Sequence, residues 1–285
     1  METNSVTTYQ YDNTTTAAKQ PLYHKIWQSI RLYGNLIRFQ LTTPSARSYQ
    51  QQWDNYWGDT QETGWQGSVL WDVDPERASQ IDLARFKAHI DPSLPILDLG
   101  CGNGRQSRFL AQHFDKVIGV DVSPEAVARA QRETVDQPNL TFRVLNGTDP
   151  SQAQALHDEF GDVNIYIRGV VHVIQKPDRP NFVASLRTLL GERGTLYQTE
   201  LDQEALPYFR QFPGDSPSGL PKLMHRVVSY GITPIGFKLD QLEQVYKPTE
   251  WQVIAQGKDA RMNTIEVVPG QTGAVPANYL IARPK

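Results

Sequence analysis

From Pro95 to Leu201 the chain alternates short apolar runs with longer amphipathic stretches. PILDLG (95–100), KVIGVDVS (116–123), LTFRVLN (140–146), VNIYIRGVVHVI (163–174) and RGTLYQTEL (193–201) read as strands, since each concentrates β-branched and aromatic residues between turn formers. Between them RQSRFLAQHF (105–114), PEAVARAQRET (124–134), PSQAQALHDEF (150–160) and RPNFVASLRTLL (179–190) repeat apolar residues at helical spacing. Ser123 and Pro124 supply an N-cap and a first helical residue for the second of these helices. Strands alternating with helices predict βαβ units around a doubly wound, mostly parallel α/β sheet, with ligands at the carboxyl ends of its strands.

The flanks follow other patterns. Residues 1–20 are rich in Thr, Asn and Gln, which predicts a flexible tail. Over 21–39, Leu22, Ile26, Ile30, Tyr33 and Ile37 recur at helical spacing beside Lys25, Arg31 and Arg38. A helix capping its own domain fits better than a membrane-surface anchor, because the basic surplus is small. Tryptophans 53, 57, 65 and 71 crowd the next stretch among turn formers, and such aromatics are packing filler or the wall of a pocket. We expect 21–80 to form an N-terminal cap or lid segment and 81–285 the ligand-binding domain. A Pro- and Gly-punctuated insertion at about 202–236 would then roof an acceptor pocket before the closing strands WQVIAQGK, NTIEVVP and ANYLIARP.

Composition narrows the chemistry. A formal charge of −3 over 285 residues leaves no basic stripe for a nucleic acid, so none is expected as a partner. No apolar run approaches a membrane span, and no apolar leader opens the chain. Cys101 is the one cysteine, which excludes a disulfide framework or a Cys-based zinc site and fits a reducing, cytoplasmic setting. No metal is expected.

Gly100, Gly102 and Gly104 sit where the first strand turns into a helix, and glycines there let a ligand approach the backbone. A dinucleotide fingerprint places its third glycine one position later, where this chain has Arg105. Asp98 ends the first strand and Asp121 ends the next, 21 residues after Gly100, where a carboxylate can accept both ribose hydroxyls. ILDLGCGNGR and VIGVDVS resemble the first and second motifs of the class I S-adenosylmethionine-dependent methyltransferases, over roughly 81–200. The resemblance implies a Rossmann-like fold, S-adenosylmethionine as methyl donor and a small-molecule acceptor methylated at O, N or S. It also implies that Asp98, Gly100, Cys101 and Gly102 surround the methionine end, and that Asp121 and Val122 take the ribose and one adenine face. Asn146, with Gly147, stands where the family has an acid near the adenine amino group; Asp149 competes for that role. The tryptophan segment further resembles the thiopurine-methyltransferase-like branch. A nicotinamide-dependent reductase and a methyltransferase of a protein acceptor are the alternatives.

The fourth strand brings Arg168 and then His172 toward the reacting methyl. An arginine in an apolar strand must find an anion: the cofactor carboxylate, an acceptor carboxylate, or a structural acid such as Glu200. His172 is the candidate base or orienting group, against the alternative of a hydrogen-bonded packing residue. Glu200 and Asp202 read as solvated loop acids. Trp57, Trp65, His172 and Tyr208 are the expected acceptor contacts, with Phe209 and Phe212 as further walls or as the insertion's own core.

Overall fold

The computed structural model describes Tyr23, Trp27, Ile30 and residues 49–214, 216–232 and 235–285. The expected tail lies outside the described residues. So does the helix expected over 21–39, except for Tyr23, Trp27 and Ile30, which are helical and exposed.

Strands β1 (Ile96–Leu99), β2 (Val117–Asp121), β3 (Leu140–Val144), β4 (Asn164–Arg168), β5 (Leu196–Leu201), β6 (Trp251–Val268) and β7 (Gln271–Pro284) build one sheet in the order β3-β2-β1-β4-β5-β7-β6. The first five are parallel; β7 pairs antiparallel with β5, and β6 with β7. Leu97 lies opposite Ile118 on one side and Ile165 on the other, and β1 is buried along its whole length. Such central strands read as unbroken apolar runs because helices cover both faces.

The helices are α1 (Tyr49–Gly58), α2 (Pro75–Phe86), α3 (Arg105–Leu110), α4 (Pro124–Glu133), α5 (Pro150–Phe160), α6 (Arg179–Leu190), α7 (Ala205–Phe209), α8 (Lys222–Ser229) and α9 (Leu239–Val245). One face of the sheet packs against Leu156, Phe182, Leu186 and Leu242 of α5, α6 and α9. The other packs against Leu83, Phe86, Phe109 and Val127 of α2, α3 and α4. Ser123 Oγ accepts the Ala126 N–H at 3.1 Å and opens α4 as its cap. Asp149 caps α5 in the same way, with Pro150 as first helical residue.

Three elements differ from the sequence reading. Polar Lys258–Met262 does not break the last strands apart: β6 runs unbroken for 18 residues, and register shifts absorb the misfit while Ala260 and Met262 turn inward. Trp53 and Trp57 lie on α1, not in an irregular segment. Helix α2 crosses position 80, and its Asp74 cap followed by Pro75 repeats the Ser123–Pro124 signature.

Candidate active site

The strand order reverses between β1 and β4, and a cavity opens there at the carboxyl ends of β1, β2 and β4. Its floor is the turn after β1. Gly100, Gly102 and Gly104 all have positive φ (84°, 53° and 74°), which side chains rarely tolerate. Their free space serves different ends. A Cβ on Gly102 would lie 2.7 Å from the Trp57 ring, whereas one on Gly104 would meet Phe142 at 2.6 Å in the core beneath. Gly104 is thus a packing glycine that seats α3, whereas Gly100, Cys101, Gly102 and Asn103 of the same turn line the cavity. The Cys101 thiol is buried, which pushes its pKa well up and leaves it a small wall residue.

Asp98 and Asp121 both reach the cavity while almost wholly enclosed. Burial pushes Asp98 up to about 7, against the hydrogen bond from Ser107 Oγ (2.5 Å). Asp121 is pushed up by burial to about 6, opposed by the Ser123 and Gly102 N–H groups, each 3.0 Å from a carboxylate oxygen. Val122, Asn146, Gly147 and Thr148 continue the wall. Asn146 Oδ1 accepts the Thr148 N–H (3.0 Å) and hydroxyl (2.8 Å), while Asp149 is taken up by its helix cap and stays outside the cavity.

Arg168 lines the cavity with its side chain 7% exposed. Its nearest carboxylate is Asp82, at 3.7 Å; the structural acid is Asp82 and not Glu200, the example the sequence offered. Asp82 is already committed to the hydroxyls of Tyr166 (2.9 Å) and Tyr197 (2.6 Å). Arg168 Nε and Nη2 accordingly have no hydrogen-bond partner. Buried N–H donors of a cation are costly to leave without acceptors.

Glu200 is not a solvated loop acid. It is the penultimate residue of β5 and fully buried, and its carboxylate accepts the N–H groups of Val170 (2.9 Å), Val171 (2.8 Å) and His172 (3.3 Å). Its Oε2 also lies 2.8 Å from His172 Nδ1. His172 thus sits in the cavity wall on a 3-10 turn after β4, with one ring nitrogen engaged.

The roof comes from the N-terminal segment and the insertion. Trp53, Trp57 and Trp71 line the cavity, whereas Trp65 is 45% exposed, under the Arg77 guanidinium, and does not. Tyr208 is likewise displaced: its hydroxyl accepts the Ala274 N–H, and the neighbouring Phe209 reaches the cavity instead. Two anchors hold the roof down. Buried Asp72 forms an ion pair with Arg105 and accepts from Asn103 Nδ2 (3.0 Å), which explains the arginine that follows Gly104. Arg226 of α8 donates to Tyr56 O and Thr60 Oγ1, both at 2.8 Å, with its guanidinium over the Tyr56 ring. Met224, Val227, Met262, Asn263 and Thr264 complete walls that the sequence reading left out; only a β6 that stays continuous through 258–262 brings the last three here.

The comparisons with known proteins bear on this geometry. The family described as "Methyltransferase domain" matches residues 96–194. A crystal structure of an S-adenosylmethionine-dependent methyltransferase from Anabaena variabilis is 33% identical, with a TM-score of 0.74, and is covered over 96% of its length and 85% of this chain. The chain belongs to the S-adenosylmethionine-dependent methyltransferases. Its sheet is that of class I in this family, and the reductase alternative falls. Among curated relatives, the methyltransferase is 28% identical over 190 residues to the 2-methyl-6-phytyl-1,4-hydroquinone methyltransferase of Synechocystis sp., matching 60% of this chain and 56% of that one. It therefore spans little more than half that relative's length. A ubiquinone biosynthesis O-methyltransferase of Cereibacter sphaeroides is 25% identical over 202 residues, matching 64% of this chain and 78% of the relative. The narrower thiopurine-like likeness finds no support in these relatives. Among the described residues, no helix is long and apolar enough to cross a membrane, and no group of three His, Cys, Asp or Glu is placed to hold a metal.

Proposed function

We propose that this methyltransferase transfers a methyl group from S-adenosylmethionine to a hydroxyl of a largely apolar small molecule. The observation that carries the reading is one cavity with two unlike halves. The half over the β1 and β2 ends presents two buried carboxylates, a backbone turn and a guanidinium with two N–H nitrogens lacking hydrogen-bond partners; the other half is walled by Trp53, Trp71, Phe209, Met224 and Val227.

The polar half suits an amino-acid nucleoside. Asp121 would hold the ribose hydroxyls, Val122 would pack against the adenine, and Asn146 with Gly147 would edge it. Asp98 would take the ammonium and Arg168 the carboxylate, since the two lie close enough for the guanidinium to oppose the rise of Asp98. Gly100, Cys101 and Gly102 leave the backbone open beside them. When bound, S-adenosylmethionine supplies an electrophilic methyl, whose bond to sulfur breaks as its bond to the acceptor oxygen forms.

The chain's own task is alignment, exclusion of water and handling of one proton. Trp57 over Gly102, clamped by the Asp72–Arg105 pair, closes the site from above. The apolar walls seat the acceptor ring or chain, and His172 takes the hydroxyl proton. One relative is named for an apolar hydroquinone and another for O-methylation in ubiquinone biosynthesis, which supports the reading.

The test is a panel of acceptors incubated with methyl-labelled S-adenosylmethionine. Apolar phenols and quinols are expected to be labelled at oxygen. Labelling of peptides alone, or of strongly charged acceptors in preference to apolar ones, would overturn the proposal.

A further inference from the structure

We infer that Glu200 is a positioning residue that fixes His172 as the Nδ1–H tautomer and so leaves Nε2 free to accept the acceptor's proton. This rests on the reading of His172 as proton acceptor and extends it to a residue outside the cavity wall.

A buried carboxylate needs hydrogen-bond donors or a counter-charge. Glu200 is fully enclosed, and among the described residues its one ion-pair partner is His172. Three backbone N–H groups from consecutive residues, Val170, Val171 and His172, converge on its two oxygens. Carboxylate oxygens engaged by three N–H groups serve as acceptors, and an ionised carboxylate is an acceptor only. The ring nitrogen 2.8 Å away must then carry the hydrogen. In the neutral imidazole that places the lone pair on Nε2. The same carboxylate also ties down the turn on which the ring stands, so one group sets both the position of His172 and its protonation pattern. When Nε2 gains a proton, the imidazolium formed lies beside a fixed negative charge in a dry environment, where the pairing is strongest.

The flanking strand shows how the residue arrives there. Glu200 pairs in register with Asn278 of β7, and Thr199 before it with Arg168 of β4. A residue one step beyond the end of β4's pairing is thereby aimed at the turn that β4 runs into.

Two measurements on the full chain test this. In protein labelled with 15N-histidine, the His172 signals, identified by their loss in His172→Ala, are expected to show a protonated Nδ1 and a bare Nε2 at a pH where the ring is neutral. A protonated Nε2 there would overturn the inference, and this readout needs no variant of Glu200. In Glu200→Gln, the side-chain carbonyl can still accept the Val170 and Val171 N–H groups, while its amide would donate to Nδ1 and drive the hydrogen to Nε2. The expected result is that tautomer switch, with kcat lowered about 10²-fold and the KM values for donor and acceptor little changed. An unswitched tautomer with full turnover in Glu200→Gln would overturn the inference even if His172→Ala is inactive. An active His172→Ala would instead sink the proton-acceptor reading, and the tautomer assignment would still be decided by the wild-type spectrum.

Discussion

Asp121→Ala is expected to weaken S-adenosylmethionine binding by at least about 100-fold. Two hydrogen bonds from ribose hydroxyls to an ionised carboxylate contribute about 1.5–3 kcal/mol each, and their joint loss reaches that factor at the lower bound. The carboxylate also accepts the Gly102 and Ser123 N–H groups, so its removal frees the turn that forms the cavity floor. Both effects act in the same direction. The sheet itself should survive, because Asp121 is the last residue of β2 and the apolar residues before it carry the packing. Calorimetric titration with S-adenosylmethionine, alongside circular dichroism to check the fold, measures the change. An affinity equal to that of the unaltered protein would remove Asp121 from the site.

The second large effect is expected at His172. His172→Ala should lower kcat by about 10²–10⁴-fold, the range that a positioned proton acceptor contributes, while donor affinity stays within a few fold. The split between kcat and KM is the diagnostic. A loss confined to the acceptor KM would make His172 a contact that seats the acceptor and no more. The ring's side chain is only 8% exposed, so the change to Ala also opens a gap in the wall. For that reason His172→Gln, which keeps volume and polarity without a titratable nitrogen, should be as slow as the alanine variant.

Features set by local sequence are legible in the chain, and features set by distant pairings are not. The parallel strands and their helices are local. PILDLG and KVIGVDVS are buried on both faces and read as unbroken apolar runs, and Ser123–Pro124 announces a helix from two residues alone. The polar half of the cavity is nearly local as well, since Asp98, Gly100, Gly102 and Asp121 lie on adjoining strand ends within one βαβ unit. What escaped was set by pairings across the chain. Of the anions open to Arg168 the structural acid offered was Glu200, which is near it in the sheet, but it faces Asp82, 86 residues earlier on α2. Glu200 reads as solvated when placed just past the fifth strand, yet register with β7 and the turn after β4 enclose it. Trp65 and Tyr208 failed as wall residues for a related reason. Each lies on a segment whose facing is decided by what it packs against, and a neighbour such as Trp71 or Phe209 took the inward position. The β6 walls depended on strand continuity through a polar stretch, which periodicity does not reveal.

The central claim is that buried carboxylates at the β1 and β2 ends receive a cationic nucleoside that bears no phosphate. Asp98 and Asp121 are raised to about 7 and about 6, chiefly by burial, so they are largely neutral at pH 5.5 and largely ionised at pH 7.5. Calorimetric titration of the unaltered protein with S-adenosylmethionine and with NADPH at the two pH values tests the claim most directly. The account predicts S-adenosylmethionine binding that is tighter at pH 7.5, with protons released on binding in between, and no NADPH binding at either pH. Binding of NADPH, or S-adenosylmethionine binding that is absent or tighter at pH 5.5, would contradict it.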